Sequence, residues 1–201
     1  MAQRAADEVR ATLRPFTIPN GITLLRFAMV PFFILAVIGG NYRLALIIFV
    51  AAGLSDALDG ALARALGTRS RLGAYLDPIA DKVLLVTAYI FLTWPPGDAI
   101  RIPVWLTVMA LSRDVLIVLV ALVLYLGAEI VEFPPSVWGK LTTFFHILTV
   151  GLVLLANIVP VSEGVLLLTF YAALALTVIS GVHYVRRAAL QLETLHRGGE
   201  V

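Results

Sequence analysis

Six runs of apolar residues, each long enough to cross a lipid bilayer, dominate this chain: approximately 20–39, 43–66, 73–94, 102–126, 138–159 and 164–185. A crossing helix needs roughly 17–25 such residues to cover the hydrocarbon layer. No water reaches backbone amides there, so each run is predicted to be a helix that satisfies its own hydrogen bonds. Turn-forming residues separate the runs: Gly39-Gly40-Asn41, Gly67-Thr68, Pro95-Pro96-Gly97, Pro134-Pro135 and Pro160. Trp94, Trp105 and Trp138 fall near predicted ends, where interfacial anchors belong. Composition agrees: 60% of the residues are hydrophobic and 14% charged, against about a quarter charged in a soluble domain. The expectation is an all-α integral membrane protein of one domain. Residues 1–16 would be an interfacial segment with a short amphipathic helix at 3–14, residues 20–185 a six-helix bundle, and 186–201 a cytoplasmic tail.

The absence of cysteine excludes disulfides, thiolate metal sites and cysteine nucleophiles. A net charge of +2 is too small to point to nucleic acid. The polar start "MAQRAADEVRATLRPF" does not read as a cleavable signal peptide. Arginine and lysine sort the two faces. Arg4, Arg10, Arg14, Arg69, Arg71, Lys140, Arg186, Arg187 and Arg197 fall on one side, and only Arg43 and Arg101 on the other. The first side is therefore expected to be cytoplasmic, with both termini on it, in the plasma (inner) membrane.

Against this background the acids in "SDALDGALARALGTRSRLGAYLDPIADK" stand out. Asp56, Asp59 and Arg64 fall in the inner half of the second run, and Asp77, Asp81 and Lys82 in the inner half of the third. Arg26 lies about a turn and a half into the first run, and Arg113 and Asp114 near the middle of the fourth. A charged side chain costs about 2.5–3.5 kcal/mol at the centre of a membrane helix, so four carboxylates need something to bind them. Asp56 and Asp59 are three residues apart and Asp77 and Asp81 four, which puts each pair on one helix face. Gly60 and Ala63 open a gap beside the first pair, Arg64 offers a fork suited to phosphate, and Gly73 opens the next helix in the same way. All-oxygen ligands suit a hard cation, magnesium or manganese, and a pair of such ions serves phosphoryl displacement. Scattered ion pairs such as Asp59 with Arg64 are a weaker account, because the carboxylates cluster more tightly than the cations.

The run Asp56-x2-Asp59-Gly60-x2-Ala63-Arg64-x8-Gly73-x3-Asp77-x3-Asp81 resembles in full the signature of the CDP-alcohol phosphotransferases, and "TIPNGITLLRF" resembles the opening of their first span. The resemblance implies transfer of a phosphatidyl group from CDP-diacylglycerol to an alcohol, with release of CMP. It implies that Asp56 and Asp77 touch both of two Mg2+ ions, Asp59 the first and Asp81 the second, with Asp81 also the general base. It further implies that Asn20, Thr23, Gly60, Arg64 and Ser70 hold the CDP moiety, and that the protein works as a homodimer.

The acceptor is read from the cations beyond the signature. Arg113 in "LSRDVLIV" and Lys140 in "VWGKLTT", with Arg26 and Arg71 as possible neighbours, favour a phosphorylated alcohol. The chain is most similar to the branch that makes phosphatidylglycerophosphate from sn-glycerol-3-phosphate. The alternative is a CDP-dependent cardiolipin synthase using phosphatidylglycerol, toward which "SRD" leans. Arg113 has a bland reading, neutralisation by Asp114 or a neighbouring helix, and so has Lys140, a snorkelling residue. A cation transporter predicts acids near the midplane and broken inverted repeats, which the sequence does not offer. His146 and His183 are expected to pack or to bond between helices, Gly151 and Gly181 to mark close helix packing, and "LHRGGEV" to lack order.

Overall fold

The computed structural model describes residues 18–66, 71–128 and 136–198, with side chains placed for 25–55, 82–122 and 136–190. The expected interfacial helix at 3–14 and Ser70 lie outside the described residues. Within them the chain is helical and without strands, in six helices: α1 (Ile18–Ile38), α2 (Tyr42–Leu66), α3 (Arg71–Thr93), α4 (Val104–Ala128), α5 (Val137–Ala156) and α6 (Glu163–Gly198). Each covers one of the six apolar runs.

The breaks follow local chemistry. α1 stops at Gly39-Gly40, where Gly40 takes φ +68°, a left-handed conformation that costs glycine little. The Asn41 amide donates back to Ala36 O at 2.8 Å, while its side-chain Oδ1 accepts from Leu44 N at 3.1 Å and so caps α2. α5 begins at Ser136, whose hydroxyl accepts from Gly139 N at 3.0 Å. It ends at Asn157, whose Nδ2 donates to Val153 O and to Ile100 O, and whose Oδ1 accepts from Ile100 N. That one amide ties the segment entering α4 to the end of α5.

The helices form two compact units, Met1–Ala99 and Ile100–Val201. In the first, α1 packs along both α2 and α3. Phe33 and Val37 of α1, Ala45, Phe49 and Ala52 of α2, and Leu84, Ala88 and Leu92 of α3 are buried. The rings of Phe33 and Phe49 meet at 6.3 Å between centroids. In the second unit α6 is the shared helix, packed along α4 and α5. Trp105 of α4 stacks on Tyr171 of α6 at 5.7 Å.

Two features mark an apolar solvent. Large aliphatic side chains face outward, with Leu168 72% and Val118 66% exposed, a surface that water would not tolerate over so many residues. Hydroxyls meanwhile bond back to their own helices: Thr93 to Tyr89 O, Thr149 to Phe145 O, Thr169 to Val165 O and Thr177 to Ala173 O, all between 2.7 and 2.8 Å. The carbonyl four residues earlier is the partner always within reach when no water is. α4, α5 and α6 carry apolar stretches long enough to cross a bilayer: Val104–Leu122, Val137–Ala156 and Glu163–Leu190. The described parts of α1 to α3 contribute shorter ones, Leu25–Ile38, Tyr42–Ser55 and Lys82–Thr93.

Two expectations need correction. α6 does not stop near residue 185 but runs to Gly198, through part of the segment expected to lack order. Ala188, Ala189, Leu190, Gln191, Leu192 and Glu193 are strong helix formers, and no breaker intervenes before Gly198-Gly199. Gly151 is not a close-packing glycine, since a Cβ there would meet nothing within 4 Å among the described residues. Gly181 keeps that role, facing Leu116 of α4 at 3.7 Å from its ideal Cβ position.

Candidate active site

In the first unit the aspartates fall on two helices. Asp56 and Asp59 belong to α2, Asp77 and Asp81 to α3, and the backbone is helical through both pairs. At 3.6 residues per turn, each pair therefore lies within about 60° of one helix face. Gly60, Ala63 and Arg64 continue α2, Gly73 opens α3, and Asn20 and Thr23 open α1. The short turn at residues 39–41 makes α1 and α2 antiparallel neighbours, and only residues 67–70 separate α2 from α3. The start of α1, the end of α2 and the start of α3 consequently fall at one end of the unit. All of these residues lie outside those whose side chains are described. Arg26, one turn further along α1, is buried at 1% exposure.

The second unit holds Arg113 and Lys140. Arg113 lies in the interior of the unit, 9% exposed. Its Nη1 donates to Asp114 Oδ1 at 2.8 Å and its Nη2 to Ser180 Oγ at 2.9 Å. Its guanidinium carbon stands 5.8 Å from the centroid of the Tyr184 ring, within cation–π range. Tyr184 is held in turn by Ser136, whose amide donates to the phenol oxygen at 3.4 Å. Gly139 closes the cluster. A Cβ there would stand 3.2 Å from Tyr184 Oη, 3.3 Å from Arg113 Nη2 and 3.3 Å from Ser136 Oγ. Lys140, the next residue, is exposed. It is therefore Gly139, and not Lys140, that α5 sets against the arginine. Asp114 does neutralise Arg113, as the bland reading expected, because the long guanidinium stem curls back to its neighbour. Ser180 and Tyr184 escaped the sequence reading. Their signal is faint, a four-residue spacing on α6 that marks one helix face.

A prediction follows from the contacts at Gly139. Gly139→Ala asks three neighbours to give by a few tenths of an ångström and should be tolerated. Gly139→Leu drives a branched chain into the guanidinium and is expected to cost about 1–3 kcal/mol by overpacking. Thermal unfolding in detergent, compared across the two variants, checks this; equal melting temperatures would mean that the cluster yields freely.

His146 meets its expectation: Nε2 lies 2.9 Å from Thr177 Oγ1, a bond between α5 and α6. Among the described side chains no group of three His, Asp or Glu is placed to hold a metal ion.

Known proteins decide what this arrangement belongs to. Residues 16–180 match the profile of CDP-alcohol phosphatidyltransferase. The chain belongs to that family. It is therefore a membrane enzyme that transfers phosphatidyl groups. The family's phosphatidyltransferases generally use divalent metal ions. A "Probable phosphatidylglycerophosphate synthase" of Mycobacterium tuberculosis is 37% identical over 193 residues, covering 93% of this chain and 88% of its own length. A "CDP-diacylglycerol--glycerol-3-phosphate 3-phosphatidyltransferase" of Haemophilus influenzae is 32% identical over 181 residues, covering 86% of this chain and 94% of its own. A "Cardiolipin synthase (CMP-forming)" of Rattus norvegicus is 32% identical over 195 residues, covering 86% of this chain and 63% of its own.

Proposed function

We propose that this phosphatidyltransferase joins the phosphatidyl group of CDP-diacylglycerol to sn-glycerol-3-phosphate, forming phosphatidylglycerophosphate and releasing CMP. The observation that carries the choice of acceptor is the relative named as a phosphatidylglycerophosphate synthase, aligned over nearly the full length of both chains. A second reading, a cardiolipin synthase using phosphatidylglycerol, draws on the relative of that name, which this chain matches over less of the relative's length.

Asp56, Asp59, Asp77 and Asp81 would hold two Mg2+ ions, with Mn2+ as the substitute. Such ions, when bound, neutralise the diphosphate and stabilise the departing CMP. Asn20, Thr23, Gly60, Arg64 and Ser70 would bind the CDP moiety, with Arg64 forking onto phosphate oxygens. Asp81 would take the proton from the acceptor hydroxyl as its oxygen bonds to the phosphatidyl phosphorus. The bond from that phosphorus to the bridging diphosphate oxygen breaks in the same displacement, and CMP leaves with the electron pair. Arg113 and Lys140 would contact the acceptor phosphate.

The enzyme would sit in the plasma (inner) membrane with six spans, an interfacial segment at residues 1–16, both termini and the site facing the cytoplasm, and a second copy as its partner. Support for six spans comes from helix length: α1, α2 and α3 run to 21, 25 and 23 residues, or about 30 Å and more at 1.5 Å per residue. Support for the orientation comes from the distribution of arginine and lysine.

The test is CMP release from CDP-diacylglycerol by purified protein with Mg2+, run separately with glycerol-3-phosphate and with phosphatidylglycerol. Release with glycerol-3-phosphate alone is expected; release with phosphatidylglycerol alone would make the enzyme a cardiolipin synthase. Arg113→Ala is expected to raise the apparent KM for glycerol-3-phosphate by about 10- to 100-fold, the loss of one charge-assisted contact. The KM for CDP-diacylglycerol should rise far less. Equal rises would leave Arg113 only the packing role that Asp114, Ser180 and Tyr184 give it.

A further inference from the structure

Arg113 has two kinds of support, and they do different things. Asp114 supplies the opposite charge, its Oδ1 accepting from Nη1 at 2.8 Å. The two residues are adjacent on α4 and so leave the helix about 100° apart. The Asp114 side chain is also 25% exposed, so this pair neutralises the guanidinium without fixing its plane. Room to swing is present. Arg113 borders a groove of about 560 Å³ between α4 and α6, walled in part by Leu116, Val178 and Val182. Those aliphatic side chains offer a guanidinium no acceptor.

Orientation comes from α6. Ser180 is wholly buried, and its Oγ accepts from Nη2 at 2.9 Å. Tyr184, also buried, sets its ring 5.8 Å from the guanidinium carbon, where the ring face attracts a cation. The two residues stand one turn apart on one face of α6. A hydroxyl and a ring at fixed positions restrict both the tilt and the rotation of a planar group, which one carboxylate does not. Donors remain for a further partner. A guanidinium carries hydrogens on Nε and on both Nη atoms. Asp114 and Ser180 each accept from one Nη, while the buried Nε makes no hydrogen bond among the described residues. A buried donor of that kind costs free energy until an acceptor reaches it.

On the reading of Arg113 as the contact to the acceptor phosphate, we propose that Ser180 and Tyr184 are positioning residues for the acceptor. They touch no substrate. They hold the Arg113 guanidinium in the orientation that presents its remaining donors to the phosphate.

The test is steady-state CMP release by purified full-length protein with Mg2+, varying CDP-diacylglycerol and the acceptor separately. The acceptor is glycerol-3-phosphate, or phosphatidylglycerol if only that one supports release. S180A leaves Nη2 without its partner and should raise the acceptor KM about 3- to 10-fold. The kcat and the KM for CDP-diacylglycerol should stay within about twofold. S180T, which keeps a hydroxyl, should recover most of the loss. Y184L, which removes the ring, should raise the acceptor KM by a similar factor, and Y184F, which keeps it, by less. In an R113A background S180A and Y184L should add nothing, because both act through the guanidinium. A residue that only stabilised the fold would lower kcat and folded yield whether or not Arg113 were present, and that result overturns the proposal. So does an acceptor KM unchanged in S180A and Y184L while R113A raises it; the acceptor-phosphate reading of Arg113 then stands. An acceptor KM unchanged in R113A itself ends that reading and the positioning roles together. Ser180 and Tyr184 are probed independently, so a variant that does not fold leaves the other to decide.

Discussion

Replacing Asp81 by asparagine is expected to lower turnover by about 100- to 10,000-fold, the usual contribution of a positioned general base. The substitution preserves size and one oxygen ligand but removes the group that would take the acceptor's proton. Binding of CDP-diacylglycerol should remain measurable, because Arg64 and the three other aspartates are untouched. The measurement is CMP release beside equilibrium binding of the CDP-lipid, on the same preparation. Full activity in Asp81→Asn would end the assignment of the base, whereas lost binding would recast Asp81 as a ligand of the donor alone. Its four-residue offset from Asp77 on α3 makes both jobs feasible from one helix face.

Asp56→Ala and Asp77→Ala carry the second large effect. Each removes a carboxylate proposed to touch both ions, so activity and the response to added Mg2+ should vanish together. Raising Mg2+ should not rescue either variant, since each would remove a ligand proposed to serve both ions. A titration of activity against Mg2+ over several decades checks this. A variant that kept a wild-type response would count against a two-ion site built on α2 and α3. Folding should be affected little or favourably, because four carboxylates sharing the proposed site would repel one another in the absence of a cation. Thermal unfolding in chelator separates that case from simple misfolding.

Much of this protein was decided by its sequence alone, and the reason is locality. Helix positions, the turn at Gly39-Gly40-Asn41 and the cap at Ser136 depend on residues within a turn of one another. The spacing of Asp56, Asp59, Asp77 and Asp81 is equally local: once the segments are helical, three- and four-residue offsets put each pair on one face. The tertiary structure alone decided which faces meet. Arg113 finds Ser180, 67 residues away, and Tyr184 beyond it. Gly139 proves to be a close approach, whereas a Cβ at Gly151 would meet nothing within 4 Å among the described residues. In water, hydropathy would have marked the inward face of each helix. In lipid both faces are apolar, and packing turns on small residues and polar contacts that leave little trace in the pattern.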